Sequence, residues 1–287
     1  MRRGLDGRAE CGNNPADSPA DREEQRTIVE ATNRALGYAW GHGVTLVSSA
    51  GNAAIDYTKP SVDGSSPDFA DVPGEAPYDR DIDPGDCLSM PGQGNHVLST
   101  SATGISTRKA YYLSYGYRYV DISAPGGDVY DTPDNKRDIT RAVLAAYPES
   151  VLRGQGLLDP AGNPRSTAVV RDCQGGVCGY YRYLQGTSMA SPHAVGVAAL
   201  IVSRYGSTLP SGFGLRPAAT EAILRATATR HACPDPRAFT YTRLVANPDG
   251  TFTTETDTHV CEGPTHNNGF YGNGIVNALR AVRPLGG

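Results

Sequence analysis

No apolar run in this 287-residue chain approaches the ~20 residues that a membrane-spanning helix needs, so no membrane partner is expected. There is no Lys/Arg cluster or basic stripe, and the net charge of −4 is mild, so nucleic acid is not expected as a partner either. No internal repeat appears. The opening Met-Arg-Arg-Gly-Leu-Asp-Gly-Arg has no apolar stretch behind it of the kind a signal peptide carries. The six cysteines make no Cys-x-x-Cys pair, and no paired histidines complete a zinc site.

What is present is an ordinary globular composition, 39% hydrophobic, in a length suited to one large domain or two small ones. The cysteines, Cys11, Cys87, Cys173, Cys178, Cys233 and Cys261, suggest disulfides and therefore an oxidising compartment outside the cell. Six cysteines allow fifteen pairings, so spacing does not settle connectivity. Cys173 and Cys178 bracket a Gly-Gly turn and form the easiest local pair. Cys233 and Cys261 flank a hairpin-like segment. Cys11 and Cys87 remain, and either could pair outside the chain.

Taken in order, residues 1 to about 21 read as loop. Asp21 can cap a helix starting near Arg22, whose apolar positions Ile28, Val29, Ala35, Leu36 and Ala39 have helical spacing. Val44-Thr45-Leu46-Val47 suits a buried parallel strand, and it leads into Ala50-Gly51-Asn52. Asp56 to Asp86 is acidic, Pro-rich and without periodicity, which predicts a solvated insertion. Its clustered carboxylates (Asp63, Asp68, Asp71, Glu75, Asp79, Asp81, Asp83, Asp86) make calcium conceivable, although no EF-hand loop is matched. Short strands are expected around His96–Ala102 and Tyr119–Ala124. Residues 128–179 read as a second polar insertion with a helix over Ile139–Tyr147, and Gly179–Leu184 as a strand. Beyond Arg216-Pro217 comes an amphipathic helix to about Ala228. Phe239–Thr242 and Thr251–Thr253 form hairpin arms about an Asn-Pro-Asp-Gly turn.

The chemically informative stretch is Gly186-Thr187-Ser188-Met189-Ala190-Ser191-Pro192-His193. Gly186 permits a tight turn, Thr187 or Ser188 can cap a helix, and Pro192 falls early in that helix. The following run, Ala194 to Val202, is apolar on all sides, which predicts a buried helix. Ser188 then lies where unpaired N–H groups and the positive end of the helix dipole can hold an oxyanion.

These residues resemble the nucleophile signature of the subtilisin-like serine peptidases, Gly-Thr-Ser-Met-Ala-x-Pro-His. Ala50-Gly51-Asn52 at a strand end is similar to the same family's oxyanion asparagine. Asp121-Ile122-Ser123-Ala124-Pro125-Gly126 and Gly272-Asn273-Gly274-Ile275-Val276-Asn277-Ala278 are similar to later family elements. The resemblance implies an α/β, three-layer fold with a mostly parallel sheet, and serine endopeptidase chemistry on a polypeptide substrate. Ser188 would be the nucleophile, Asn52 and the Ser188 amide the oxyanion donors, and Thr187 a support for that donor set. No cofactor is implied. Asp121 matches a structural position of the family.

The family's strand-end Asp-x-Gly and its His-Gly-Thr-His helix start, which belong to the earlier half of the domain and supply the triad acid and base, are not found here. His42 has the wrong neighbours, His193 faces away from Ser188 along the helix, and His96, His231, His259 and His266 have no family match. The expectation is that residues 1–287 form the C-terminal portion of one peptidase domain, with insertions near 56–86 and 128–179, from a secreted protein. Its N-terminal half would lie on another stretch of polypeptide, and the chain alone would be inactive. The alternative expectation is a non-catalytic pseudoprotease that binds peptide or a partner.

Overall fold

The computed structural model describes residues 9–66, 76, 78–209 and 212–283. Strand β1 (Glu10–Cys11) precedes helix α1 (Pro19–Gly41). The cap of α1 is Ser18 rather than Asp21. The Ser18 hydroxyl accepts from the Asp21 amide and the Asp21 carboxylate accepts from the Ser18 amide, both at 3.2 Å. This reciprocal box, with Pro19 at the first helical position, starts the helix earlier than the expected Arg22.

Strand β2 (Leu46–Ser49) follows. The acidic insertion is not the structureless solvated loop that its charge suggests. Strands β3 (Ser61–Ser66) and β4 (Tyr78–Ile82) pair antiparallel, and Arg80 is fully buried between them and α1. Its guanidinium donates to Asp63 at 2.7 Å, Asp17 and the Ala9 carbonyl at 3.1 Å, and Gln25 at 3.0 Å. Charges that read as solvated in the sequence neutralise one another inside. Strand β5 (Cys87–Leu88) pairs with β1, and the Cys11–Cys87 disulfide joins them, so neither cysteine is left for an outside partner. Asp68, Asp71 and Glu75 lie outside the described residues.

Strands β6 (Val97–Thr103) and β7 (Ile122–Pro125) complete a parallel sheet of order β2-β6-β7, with Leu46 opposite Val97 and Thr100 opposite Ile122. β6 is buried on both faces despite its hydroxyls. Ser101 Oγ, for example, donates to the Phe270 carbonyl at 2.8 Å and lies in hydrogen-bond contact with the Ser123 hydroxyl, also at 2.8 Å. Among the described residues, the outer edge of β2 has no strand partner.

In the second insertion the expected helix over Ile139–Tyr147 is replaced by one 3₁₀ turn (Ile139–Arg141) and strand β8 (Val143–Ala146). Leu144 and Ala145 favour helix locally, but cross-strand pairing with Tyr183 and Arg182 overrides that preference. Helix α2 (Glu149–Gly154) and strands β9 (Val169–Gln174) and β10 (Val177–Leu184) follow, giving an antiparallel sheet of order β8-β10-β9. Cys173 and Cys178 bond across the β9–β10 turn.

Helix α3 (Thr187–Tyr205) lays Ala190, Ala194, Val197 and Ile201 against Leu98, Ala102, Ile122 and Ala124 of the parallel sheet. The all-round apolar run predicts complete burial, and the structure buries one side only. Val195 and Leu200, on the other side, remain 47% and 46% exposed. The layers packed on α3 among the described residues, the sheet and two later helices, cover a single face. Strands β11 (Ser207–Leu209) and β12 (Gly212–Gly214) lead to helix α4 (Pro217–Thr227). A long hairpin, β13 (Ala238–Ala246) and β14 (Phe252–Val260), is closed at its base by Cys233–Cys261, and helix α5 (Ala278–Val282) ends the described chain.

Candidate active site

The site forms where β10 runs into α3 beside the tip of β2. Gly186, not Thr187 or Ser188, is the cap of α3, which has no side-chain cap bond because the Thr187 hydroxyl is turned to Asn52. Gly186 holds φ 153° and ψ 161°, a conformation essentially reserved for glycine. Its amide donates to the Gly126 carbonyl at 3.0 Å. A Cβ placed on Gly186 would sit 3.6 Å from Asn52 Oδ1, 3.8 Å from Asn52 Nδ2 and 3.7 Å from the Ser188 nitrogen, so the strand tip and the helix start share one small volume. The buried Thr187 joins them: its amide and hydroxyl both donate to Asn52 Oδ1, at 2.9 and 3.0 Å, and its hydroxyl accepts from the Gly51 amide at 3.2 Å. With Oδ1 serving two donors, the donating end of the Asn52 carboxamide is Nδ2.

Ser188 is exposed at the second position of α3. The Met189 and Ala190 amides turn back to the Gly186 carbonyl, at 2.9 and 3.3 Å, and Thr187 serves Asn52. No described residue provides an acceptor for the Ser188 amide, which leaves a donor at the positive end of a helix of nineteen residues. An exposed hydroxyl, a backbone N–H and a neutral carboxamide thus lie together, a donor set suited to a carbonyl oxygen that gains negative charge.

Residues that the sequence does not single out hold the turn in place. Gln185 is locked at both ends of its amide: Oε1 accepts from the Val129 amide at 2.8 Å and Nε2 donates to Tyr111 Oη at 3.1 Å. Tyr112 Oη donates to the carbonyls of Gly127 at 2.6 Å and Gly126 at 3.1 Å, the latter also holding Gly186. Burial pushes both phenols above their ordinary range, so they remain protonated at neutral pH. Position next to the Gly-Thr-Ser motif is the one sequence signal for Gln185, and Tyr111 has none.

None of the six histidines touches Ser188. His193, on the same helix, points its Nδ1 at the Met189 carbonyl at 2.8 Å, His42 does the same to Tyr38 at 2.7 Å, and His96 stacks on Trp40. His231 contacts Thr107, His259 is buried against Lys109, and His266 lines a surface pocket with Arg225 and Arg230. Asp121 is committed elsewhere: it pairs with Arg225 at 2.9 Å and accepts from the Ser99 amide at 2.8 Å. Among the described residues, no three His, Cys, Asp or Glu side chains converge to hold a metal ion, and no helix is long and apolar enough to cross a membrane.

A parallel sheet with a serine-bearing helix start set against an asparagine at a strand tip defines a class, and sequence comparison gives the same one. The model of the subtilase peptidase family matches residues 12–274, and the chain belongs to that family. It is similar to a thermophilic serine proteinase of Bacillus sp. (strain AK1), 25% identical over 170 residues, which are 59% of this chain and 24% of that protein. Its fold is similar to that of a lanthipeptide protease, 20% identical with a TM-score of 0.50, over 94% of this chain and 57% of that one. A protease from Pseudoalteromonas arctica is 24% identical with a TM-score of 0.45, over 88% of this chain and 45% of that one. The chain thus spans less than two thirds of the length of the relatives it matches.

Proposed function

We propose that this chain carries the nucleophile half of a subtilisin-like serine endopeptidase, as the C-terminal portion of a single peptidase domain spanning residues 1–287, with insertions near 56–86 and 128–179. The observation that supports this most is the Thr187–Asn52 contact, which sets a carboxamide beside the helix start that bears the exposed Ser188. In the proposed reaction Ser188 Oγ attacks the carbonyl carbon of a peptide bond. Asn52 Nδ2 and the Ser188 amide donate to the oxygen as it becomes negative. The amine leaves with a proton, and water hydrolyses the acyl-enzyme to free the carboxylate and restore the hydroxyl. Thr187 acts only by fixing the orientation of Asn52.

A serine hydroxyl needs a base to take its proton, and none of the described residues offers one at Ser188. The base and its carboxylate partner therefore come, in this reading, from polypeptide outside the described residues, the N-terminal half of the domain. The edge of β2 that has no strand partner among the described residues supports that reading, as does the exposed side of α3. In subtilisin, itself a subtilase, loss of the triad costs about 10⁶-fold in kcat, so the chain alone is expected to be inert. The three disulfides support export from the cell as the setting.

A fluorophosphonate probe tests the reading. Ser188 should stay unlabelled in the chain alone and become labelled in a longer polypeptide that encodes Asp-x-Gly and His-Gly-Thr-His upstream. If the reading frame upstream of Met1 is closed by a stop and no second chain restores labelling, the missing base favours the other reading, a non-catalytic relative that binds peptide.

A further inference from the structure

We propose that Arg243, on the β13–β14 hairpin, is a positioning residue for the turn that carries Ser188. The hairpin is remote from the motif in sequence, yet one face of it reaches Tyr111, which bonds the residue before the turn. The Arg243 guanidinium lies 4.4 Å from the Tyr111 ring centroid, and across the hairpin it is held by Asp257 at 2.6 Å and Glu255 at 3.0 Å. Tyr111 in turn receives the Gln185 Nε2 hydrogen bond at 3.1 Å. Gln185 is the residue before Gly186, whose glycine-only conformation sets the direction of α3. The series Arg243, Tyr111, Gln185, Gly186 is thus one continuous set of contacts.

The chemistry of each contact is directional. A planar guanidinium stacks on a phenol face, where a lysine ammonium could not reproduce the same plane while keeping two carboxylates. The stack holds one face of a ring whose edges also meet Tyr112 and Tyr130, the ring sets where its oxygen lies, and that oxygen holds the Nε2 end of the Gln185 amide while Val129 holds the other. The Tyr111 backbone is held separately, its amide donating to Asp128 at 3.3 Å. The hairpin also has its own seats: the Leu244 amide on the Asn135 carbonyl at 2.9 Å, Tyr241 Oη on the Lys109 carbonyl at 2.9 Å, and the Cys233–Cys261 bond. Removing the guanidinium therefore uncovers one face of the Tyr111 ring and loosens its hold on Gln185, while leaving the hairpin docked.

The proposal rests on the preceding reading only in calling Ser188 a nucleophile; the coupling itself is measurable without catalysis. The test is amide hydrogen exchange on the whole chain. In Arg243→Ala, exchange at the Gly186 and Thr187 amides should rise about tenfold, the size of one hydrogen bond lost, while the β2–β6 ladder keeps its protection. Arg243→Lys should not restore protection. Tyr111→Phe, which keeps the ring and removes the oxygen, should give the same local rise. Thr240→Ala, on the exposed outer face of the hairpin, should leave both amides unchanged. Unaltered exchange at Gly186 and Thr187 in Arg243→Ala and Tyr111→Phe overturns the proposal, as does acceleration spread evenly over the parallel sheet. If exchange behaves as expected but the probe never labels Ser188 in the longer polypeptide, the coupling stands and the enzyme reading fails.

Discussion

Thr187 gives both of its donors to one atom, the carboxamide oxygen of Asn52, at 2.9 and 3.0 Å, and takes the Gly51 amide on the same hydroxyl at 3.2 Å. Thr187→Ala leaves the Gly51 amide without its acceptor and Asn52 with one donor fewer. The expected cost is about 1–3 kcal/mol, which for a chain of this size lowers Tm by very roughly 3–10 °C. Thr187→Ser, which keeps the hydroxyl, should recover most of it. Thermal unfolding of the three proteins decides the matter, and equal midpoints would mean that the hydroxyl does not hold the strand tip.

In the completed enzyme, Asn52→Ala is expected to lower kcat by about 10²–10³ with little change in KM, because the lost donor acts on the oxyanion rather than on the bound peptide. Steady-state kinetics on a peptide substrate would read it. A change confined to KM would remove Asn52 from the proposed donor set.

Arg80 meets Asp17, Asp63 and Gln25 in a site closed to water. Arg80→Met strands two carboxylates there, and the expected loss is about 3–5 kcal/mol, read as a lower urea midpoint. Raising the proton concentration should partly rescue the variant, since protonated carboxyls no longer require a cation. A variant with an unshifted midpoint would contradict the buried-network account.

Acid should loosen the hairpin through Lys109 and His259, whose Nζ and Nδ1 lie 2.7 Å apart inside a cage of Tyr115, Tyr241 and Phe270. Burial, and then the neighbouring Lys109 charge, depress His259 from 6.5 to about 3, and burial holds Lys109 well below its ordinary value. For both groups the unfolded chain binds the proton more readily. The stabilisation is therefore complete at high pH and declines as pH falls, for His259 across the window from 6.5 to about 3. Urea midpoints measured across that window should fall with acidification. In the double variant Lys109→Met/His259→Leu this part of the slope should vanish.

Cys233–Cys261 closes a segment of sequence separation 28 around the hairpin. Replacing both cysteines by alanine is expected to cost about 3 kcal/mol through the freer unfolded chain. A Tm unchanged by the double replacement would count against the bond's stabilising role.

The sequence made the turn around Ser188 legible because its determinants are local: a glycine, a threonine and a serine, followed by an apolar run, although the threonine turns to Asn52 instead of capping the helix. The parallel strand leading to Asn52 was legible too, but it runs over Leu46–Ser49 and is half-buried, where a buried strand over Val44–Val47 is expected, and Val44 is exposed. The residues that hold the turn in place were not. Gln185 and Tyr111 are 74 residues apart, and nothing in either neighbourhood indicates the other. Arg80 carries no local signal in its acidic stretch, because Asp17, its partner, is 63 residues away. The expected helix over Ile139–Tyr147 failed because β10, far downstream, pairs with Val143–Ala146. The acid and base of the triad were missing from the sequence motifs, and among the described residues no substitute gathers around Ser188.

The Cys11–Cys87 bond ties the start of the described chain to the far end of the acidic insertion, 76 positions on. A single backbone cut anywhere between them yields two pieces that still migrate as one on a non-reducing gel and separate only after thiol treatment. A chain of this proteolytic family can thus be nicked in that segment, by its own kind or another protease, without shedding the piece that carries α1 and the approach to Asn52.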